Sequence, residues 1–384
     1  MAKKIIKNDS PPKKGDIVDI GKSLADDLNK FYKTSEHKAS LLSEENESEV
    51  TDYVSTGCTS LDYIISNRRN GGIPVGRITE VYGLEGSGKS LLMAHIVKST
   101  QQKNGQAVYI DTENAISREF FEAIGIDSQR LIVLPLDTIE DVFEAIEKII
   151  EKFREKTTEI PLTIIVDSVM GASTKVELES KYDKDGYATT KSIIIGKAMR
   201  KIVNYIGKNQ VTLVFTNQLR INLTPLAAEK YTTSGGKGIP FAASVRVRLS
   251  RKNKILNKNG DIIGYKTEAV VDKNRLGPPK RKTVYSIYFT KGLDDVDSLL
   301  EALLQYKIID KKGAWLTYKY VNMETAEVEE VSFQSSNFEE KVYNNPKYNE
   351  QLLNELEKAM VIPYDNSKGE VLDETDVNYI LSDD

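Results

Sequence analysis

Gly83-Leu84-Glu85-Gly86-Ser87-Gly88-Lys89-Ser90 has the glycine, lysine and serine spacing of a phosphate-binding loop. The run Arg77–Tyr82 before it reads as a strand and residues 88–104 after it as a helix, which is the context such a loop requires. Glycines let successive backbone N–H groups turn inward around phosphate oxygens, and the helix N-terminus adds the positive end of its dipole. Lys89 is expected to reach the β- and γ-phosphates of ATP and the Ser90 hydroxyl to hold Mg²⁺. All eight residues are assigned to cofactor binding. A chance match in a chain of this length is on the order of one in a hundred by average composition.

Outward from the loop, strands alternate with helices. Ala107–Asp111, Leu162–Val166 and Val211–Thr216 read as strands. Residues 141–156 carry Val142, Phe143, Ile146, Ile149, Ile150 and Phe153 on one helical stripe, and 191–207 form a further helix. This alternation predicts an α/β fold with a mostly parallel central sheet covered on both faces. Strands at 244–250, 267–272 and 284–290 follow at short spacing and predict an antiparallel extension of that sheet. Residues 1–52 divide into a basic arm, a short amphipathic helix (Ile17, Ile20, Leu24, Leu28, Phe31) and a linker; a lone apolar stripe must dock on its own core or on a neighbouring subunit. Residues 53–293 form the ATPase core, and 294–384 a small α+β domain ending in an acidic tail.

The 384 residues are 40% hydrophobic and 29% charged, which suits a sizeable core and excludes overall disorder. The single cysteine, Cys58, excludes a disulfide framework and fits a reducing cytosol. The basic start is followed by no apolar segment of a secretory signal, and the apolar runs are too short to span a membrane. A net charge of −4 does not advertise nucleic-acid binding, but its distribution is uneven. Basic residues crowd 246–258 and 273–282, whereas 361–384 holds seven carboxylates against Lys368 alone.

Several residues lie where strands end beside the loop. Asp167 closes an apolar strand and is placed to hold the Mg²⁺ shell. Glu113 lies just past the strand Ala107–Asp111 and Asp111 ends it, and either could polarise a water on the γ-phosphate. Gln218 follows the strand from Val211 and can sense the γ-phosphate. Two long loops, 176–196 and 219–240, combine Lys and Arg with Gly and Thr, the donors that a phosphodiester backbone needs.

The ordered set of motifs resembles the bacterial RecA recombinases: 54–62, Gly72-Ile73-Pro74-Val75-Gly76-Arg77, the phosphate loop, Asp111-Thr112-Glu113, Val166-Asp167-Ser168, Asn217-Gln218-Leu219-Arg220, Thr232-Thr233-Ser234-Gly235-Gly236, Lys273-Asn274-Arg275 and Gly313-Ala314-Trp315. It runs from roughly Ile20 to Tyr320. The resemblance implies a RecA-like core and Glu113 as the catalytic carboxylate. It implies adenine stacking by Phe120, γ-phosphate sensing by Gln218, and Lys273 and Arg275 reaching the ATP of an adjacent subunit. Arg200, Lys201, Arg220 and Thr232 to Lys237 would face DNA, and the N-terminal helix and Phe241 would make subunit contacts. The implied function is strand exchange by a homo-oligomeric filament that binds single-stranded and double-stranded DNA, with single-strand-binding and loader proteins as further partners. A ring-shaped RecA-fold helicase or motor is the alternative on the same core. Arg275, Ser117 and Lys237 depart from the family's common lysine, aspartate and asparagine, and the chain after about 321 fits the family poorly. Such divergence suits a distant member, for instance a phage-encoded one.

Overall fold

The computed structural model describes residues 14–32, 39–43, 49–180, 187–221, 231–233, 235–322 and 325–364. The basic arm before residue 14, the loop segments 181–186 and 222–230, the expected DNA contact Ser234 and the acidic end from 365 lie outside the described residues. The chain forms two compact units, 1–51 and 52–384.

In the first unit α1 (Lys14–Phe31) presents the expected stripe, with Ile17, Ile20, Leu24 and Phe31 exposed. The Asn29 side chain holds the returning chain by accepting from the Ala39 amide at 2.6 Å and donating to its carbonyl at 2.8 Å.

The second unit opens with β1 (Tyr53–Val54), α2 (Thr59–Ser66) and β2 (Ile73–Pro74). The alternating core follows as β3 (Ile78–Gly83), α3 (Lys89–Gln102), β4 (Gln106–Asp111), α4 (Arg118–Ile124), β5 (Leu131–Pro135), α5 (Ile139–Arg154) and β6 (Leu162–Asp167). Next come α6 (Lys175–Glu179), α7 (Tyr187–Lys208), β7 (Val211–Ile221), β8 (Tyr231–Thr233) and α8 (Gly238–Ala242). The extension is β9 (Val245–Leu256), β10 (Ile262–Asn274), β11 (Lys282–Tyr288) and β12 (Gly292–Asp294). The last elements among the described residues are α9 (Asp295–Gln305), β13 (Ile309–Lys312), β14 (Trp315–Val321), β15 (Val328–Phe333) and α10 (Pro346–Met360).

The main sheet runs β12-β11-β10-β9-β3-β7-β6-β4-β5, with β8 paired to β7. From β9 to β5 neighbours are parallel, and β9 through β12 are antiparallel, as the strand spacing predicts. Central strands buried on both faces need continuous apolar runs; every residue of β3 and β6 is buried. One face is covered by α5, α7 and α8 through Val142, Ile146, Ile195, Ile202 and Ile239. The other carries α2, α3 and α9, and its core continues without a break into Phe333, Leu352 and Leu356. Asp295 at the start of α9 accepts from the Thr59 amide and hydroxyl at 2.6 and 2.7 Å, which satisfies an orphan donor at the head of α2.

The two long loops are shorter than composition suggests. β7 continues to Ile221 and forms a hairpin with β8, Arg220 opposite Thr232, because Tyr and Thr suit a pleated surface. α7 begins at Tyr187, so helix replaces much of the first loop. Among the described residues no helix is long and apolar enough to cross a membrane.

Candidate ATP site and DNA-facing loops

The phosphate loop sits at the end of β3, between β7 and β9. A Cβ on Gly83 would stand 2.4 Å from the Leu249 carbonyl oxygen, and one on Gly88 would stand 2.6 Å from Ile287 Cδ1 in a backbone with φ +92°. Both positions therefore require glycine. Lys89 is buried, and its ammonium donates to the Gly83 and Leu84 carbonyls at 3.3 and 3.0 Å. Burial lowers its pKa, while Asp167, Glu113 and Glu85 pull in the other direction. The Ser87 hydroxyl is buried without a protein partner. The amides of Gly86, Gly88, Lys89 and Ser90 donate to no protein acceptor among the described residues. A concave row of donors beside an exposed Ser90 matches a nucleoside triphosphate with Mg²⁺. Among the described residues no group of three or more His, Cys, Asp or Glu could hold a metal. Mg²⁺ bound through a hydroxyl, water and phosphates needs none.

Asp167, at the end of β6, is fixed by two hydroxyls: Tyr109 donates to Oδ2 at 2.6 Å and Thr216 to Oδ1 at 2.5 Å. The Asp167–Ser168 peptide bond is cis. The two carboxylates left open by sequence differ sharply here. Asp111 is buried and spends its oxygens on the amides of Glu113, Ala115 and Ile116 at 3.0 to 3.3 Å. Glu113 is exposed, and its Oε1 accepts from the Ser168 hydroxyl at 2.5 Å and from Gln218 Nε2 at 3.5 Å. Asp111 thus shapes the turn that projects Glu113. Phe120, half-buried on α4, packs edge-on against Phe121, which packs against Tyr109.

The remaining expected residues divide. Arg220 and Lys237 are exposed, Thr233 and Gly235 half-buried and Gly236 exposed, all near the β7–β8 hairpin or the head of α8. Thr233, Gly236 and Lys237 share a cleft of about 1290 Å³ with Leu84, Glu85, Ser87 and Phe241. The glycines have φ +83° and +73° and press on Ile195 and Ser192 of α7. Arg200 is exposed on α7, but Lys201 is paired with Glu147 of α5 at 2.6 Å. Lys273 donates to the Pro240 and Phe241 carbonyls, both at 2.9 Å, and Arg275 to the Phe241 carbonyl at 3.3 Å. Burial, then Arg275 and Arg246, bring the Lys273 pKa down to about 8. Lys273 pairs with Arg246, which pairs with Glu80, three residues before Gly83. That offset is roughly 10 Å along the strands, with two inter-strand steps in addition, so the Lys273 backbone is offset from the phosphate loop.

Sequence reasoning missed Glu80. It is fully buried inside β3, accepting from Arg246 Nε at 2.6 Å and from Asn217 Nδ2 at 3.0 Å. Asn217 Oδ1 in turn accepts from the Gln218 amide at 2.9 Å. Arg246 also lies 4.5 Å over the Tyr82 ring. The one available signal was a carboxylate in an otherwise apolar strand.

Sheet order, phosphate loop and the carboxylate at the end of the neighbouring strand define an α/β nucleotide-binding protein with a RecA-like core. The model of the RecA N-terminal domain matches residues 22–294. The protein RecA of Trichodesmium erythraeum is 32% identical over 286 residues, covering 74% of this chain and 76% of that protein. The protein RecA of Trichormus variabilis is 30% identical over 326 residues, covering 85% and 87%. The chain belongs to the RecA family.

Proposed function

We propose that the protein is an ATP-dependent DNA recombinase that assembles into a filament on single-stranded DNA and exchanges strands with a homologous duplex. The reading divides the chain into an arm at 1–52, an ATPase core at 53–293 and a small domain at 294–384. The observation that supports it is the pairing of an exposed Glu113 beside a phosphate cradle with two cations, Lys273 and Arg275, that are held by the Pro240 and Phe241 carbonyls and not by the loop. A site split in this way is completed by a second copy, and head-to-tail repetition of such a contact gives an open helix.

The loop amides and Lys89 hold the phosphates of ATP; Ser90 and Asp167 hold Mg²⁺, which offsets charge on the β- and γ-phosphates. Phe120 stacks on adenine. Glu113 orients the attacking water, and its exposure suits that role better than the saturated carboxylate of Asp111 does. Gln218 exchanges its contact with Glu113 for the γ-phosphate, and β7 carries that change to Arg220. Arg200, Arg220 and Thr232 to Lys237 take the DNA backbone, so affinity falls with salt; Lys201 joins them after leaving Glu147. α1 and Phe241 supply apolar contacts between copies.

ATP hydrolysis with and without single-stranded DNA, together with negative-stain images of the ATP-analogue complex, tests the proposal. Stimulated turnover with helical filaments is the expected result. Closed rings, or turnover indifferent to DNA, would exclude it.

A further inference from the structure

Lys191 lies in the second turn of α7, where the chain leaves the first long loop. The side chain is half-buried and its ammonium turns to the backbone. It donates to the Met170 carbonyl at 3.1 Å and to the Ala172 carbonyl, gripping both sides of Gly171. Burial lowers its pKa, while Glu177 nearby favours the charged form. Arg220, at the root of the second long loop, donates from Nε to Met170 Sδ at 3.3 Å. Both loops thus converge on one three-residue turn.

That turn rests on the segment carrying Glu113. A Cβ on Gly171 would stand 2.5 Å from Thr112 Oγ1 and 2.8 Å from Glu113 Cγ, so backbone there packs directly on the carboxylate's own side chain. The Gly171 amide donates to Ser168 Oγ at 3.2 Å, and that hydroxyl spends its one proton on Glu113 Oε1 at 2.5 Å. Ser168 is 1% exposed, so both contacts are made inside the protein. The opposite flank of the first loop is anchored elsewhere: Lys175 at the start of α6 pairs with Asp141 of α5 at 2.7 Å. Lys191 therefore ties the α7 flank of the first loop to the turn, while the α6 flank is tied to α5.

We propose that Lys191 and Ser168 are positioning residues that set Glu113 according to the state of the first DNA-facing loop, making hydrolysis responsive to DNA. The proposal rests on the DNA-dependent ATPase reading above. Neither residue touches ATP; each acts through Glu113.

The test uses the full chain, a fluorescein-labelled oligo-dT and a non-hydrolysable ATP analogue for binding, with ATP turnover measured in parallel. Lys191→Met is expected to bind the oligonucleotide within about threefold of the parent, with KM for ATP also within about threefold, while the DNA-stimulated kcat falls at least about tenfold. Lys191→Arg, which keeps the donors, is expected to recover most of the loss. Ser168→Ala is expected to lower kcat in the same way, and combining it with Lys191→Met should add less than about twofold, since both act along one line. Should Lys191→Met fail to fold, Ser168→Ala against Lys191→Arg carries the same comparison. Oligonucleotide affinity falling in step with kcat would make Lys191 a DNA contact and overturn the proposal, as would multiplicative losses in the double variant. If the parent chain is stimulated by DNA and Lys191→Met is stimulated equally, the relay alone is refuted. If the parent is not stimulated at all, the ATPase reading falls and takes the relay with it.

Discussion

Replacing Glu80 should unseat more than one charge. Its carboxylate is fully buried and lies between the Arg246 guanidinium at 2.6 Å and the Asn217 amide at 3.0 Å. Breaking a buried pair by removing one partner costs about 3–5 kcal/mol, mostly because the other charge is left uncompensated. Two features reduce that figure for Glu80→Gln. The Arg246 side chain keeps 19% of its exposure, and it lies on the face of Tyr82. Gln also retains an acceptor for Asn217. A loss of about 2–3 kcal/mol follows for Glu80→Gln, and about 1 kcal/mol more for Glu80→Leu, which abandons the Asn217 donor as well. For a unit spanning 52–384 each kcal/mol lowers the melting midpoint by only about 1.4 °C. Circular-dichroism melts should therefore drop by roughly 3–4 °C for Glu80→Gln. The decisive arm is Glu80→Leu with Arg246→Met, which replaces both charges with apolar volume and should regain most of the loss, because it is the stranded cation and not the missing bridge that destabilises. A double variant as unstable as the sum of the two singles, or a Glu80→Leu melt indistinguishable from the parent, would refute the reasoning.

Other perturbations separate the site's parts. Glu113→Gln should lower ATP turnover at least about 100-fold, while single-stranded DNA binding with an ATP analogue persists in an anisotropy titration; retained hydrolysis would remove Glu113 as the base. Gly83→Ala places a methyl group 2.4 Å from the Leu249 carbonyl and should abolish binding of a fluorescent ATP analogue; unchanged affinity would show that the cradle can open. Lys273 is protonated below about 8, so ATP-induced association measured by sedimentation should weaken from pH 7 to pH 9, and Lys273→Arg should flatten that slope. Asp62 is pushed up to about 7 by burial, against the hydrogen bonds from Ser55 and Thr56. A folded-state pKa raised in this way means the folded chain holds a proton that the unfolded chain has released. The contribution to stability is thus lost as pH rises from about 4 to about 7. The melting midpoint of Asp62→Asn should accordingly gain on that of the parent between pH 5 and pH 7.5, and a constant gap would count against it.

What could be read in the sequence was what depends on local pattern. The phosphate loop announces itself through glycine spacing, and β3, β4, β6 and α5 through runs whose period matches their burial. β5 went unread because it is an edge strand, with Ile132 and Val133 half in solvent and no clean alternation. α10 was likewise unread: its stripe of Leu352, Leu356 and Met360 is interleaved with Asn and Glu, and it is stabilised by packing on α2, which lies almost three hundred residues earlier. The choice between Asp111 and Glu113 could not be made from spacing, since both lie at the end of the same strand. It turns on which carboxylate the backbone amides consume, and that is set by the turn's geometry. Glu80 and Lys191 were invisible for the same reason, as their partners come from other strands and from a turn twenty residues away.

β7 is one unbroken strand from Val211 to Ile221, and it runs from the buried Asn217 through the half-buried Gln218 to the exposed Arg220. Successive side chains on a strand alternate in direction, so Gln218 and Arg220 share a face and Asn217 takes the other. The strand behaves as a rod with a phase. Inserting a single residue between Val214 and Asn217 would turn Gln218 away from Glu113 and bring Asn217 round in its place, without disturbing the charge or the apolar run before it. Length changes in this strand are therefore tolerable in pairs or not at all, and variation among chains of this kind should respect that parity even where the residues themselves have diverged.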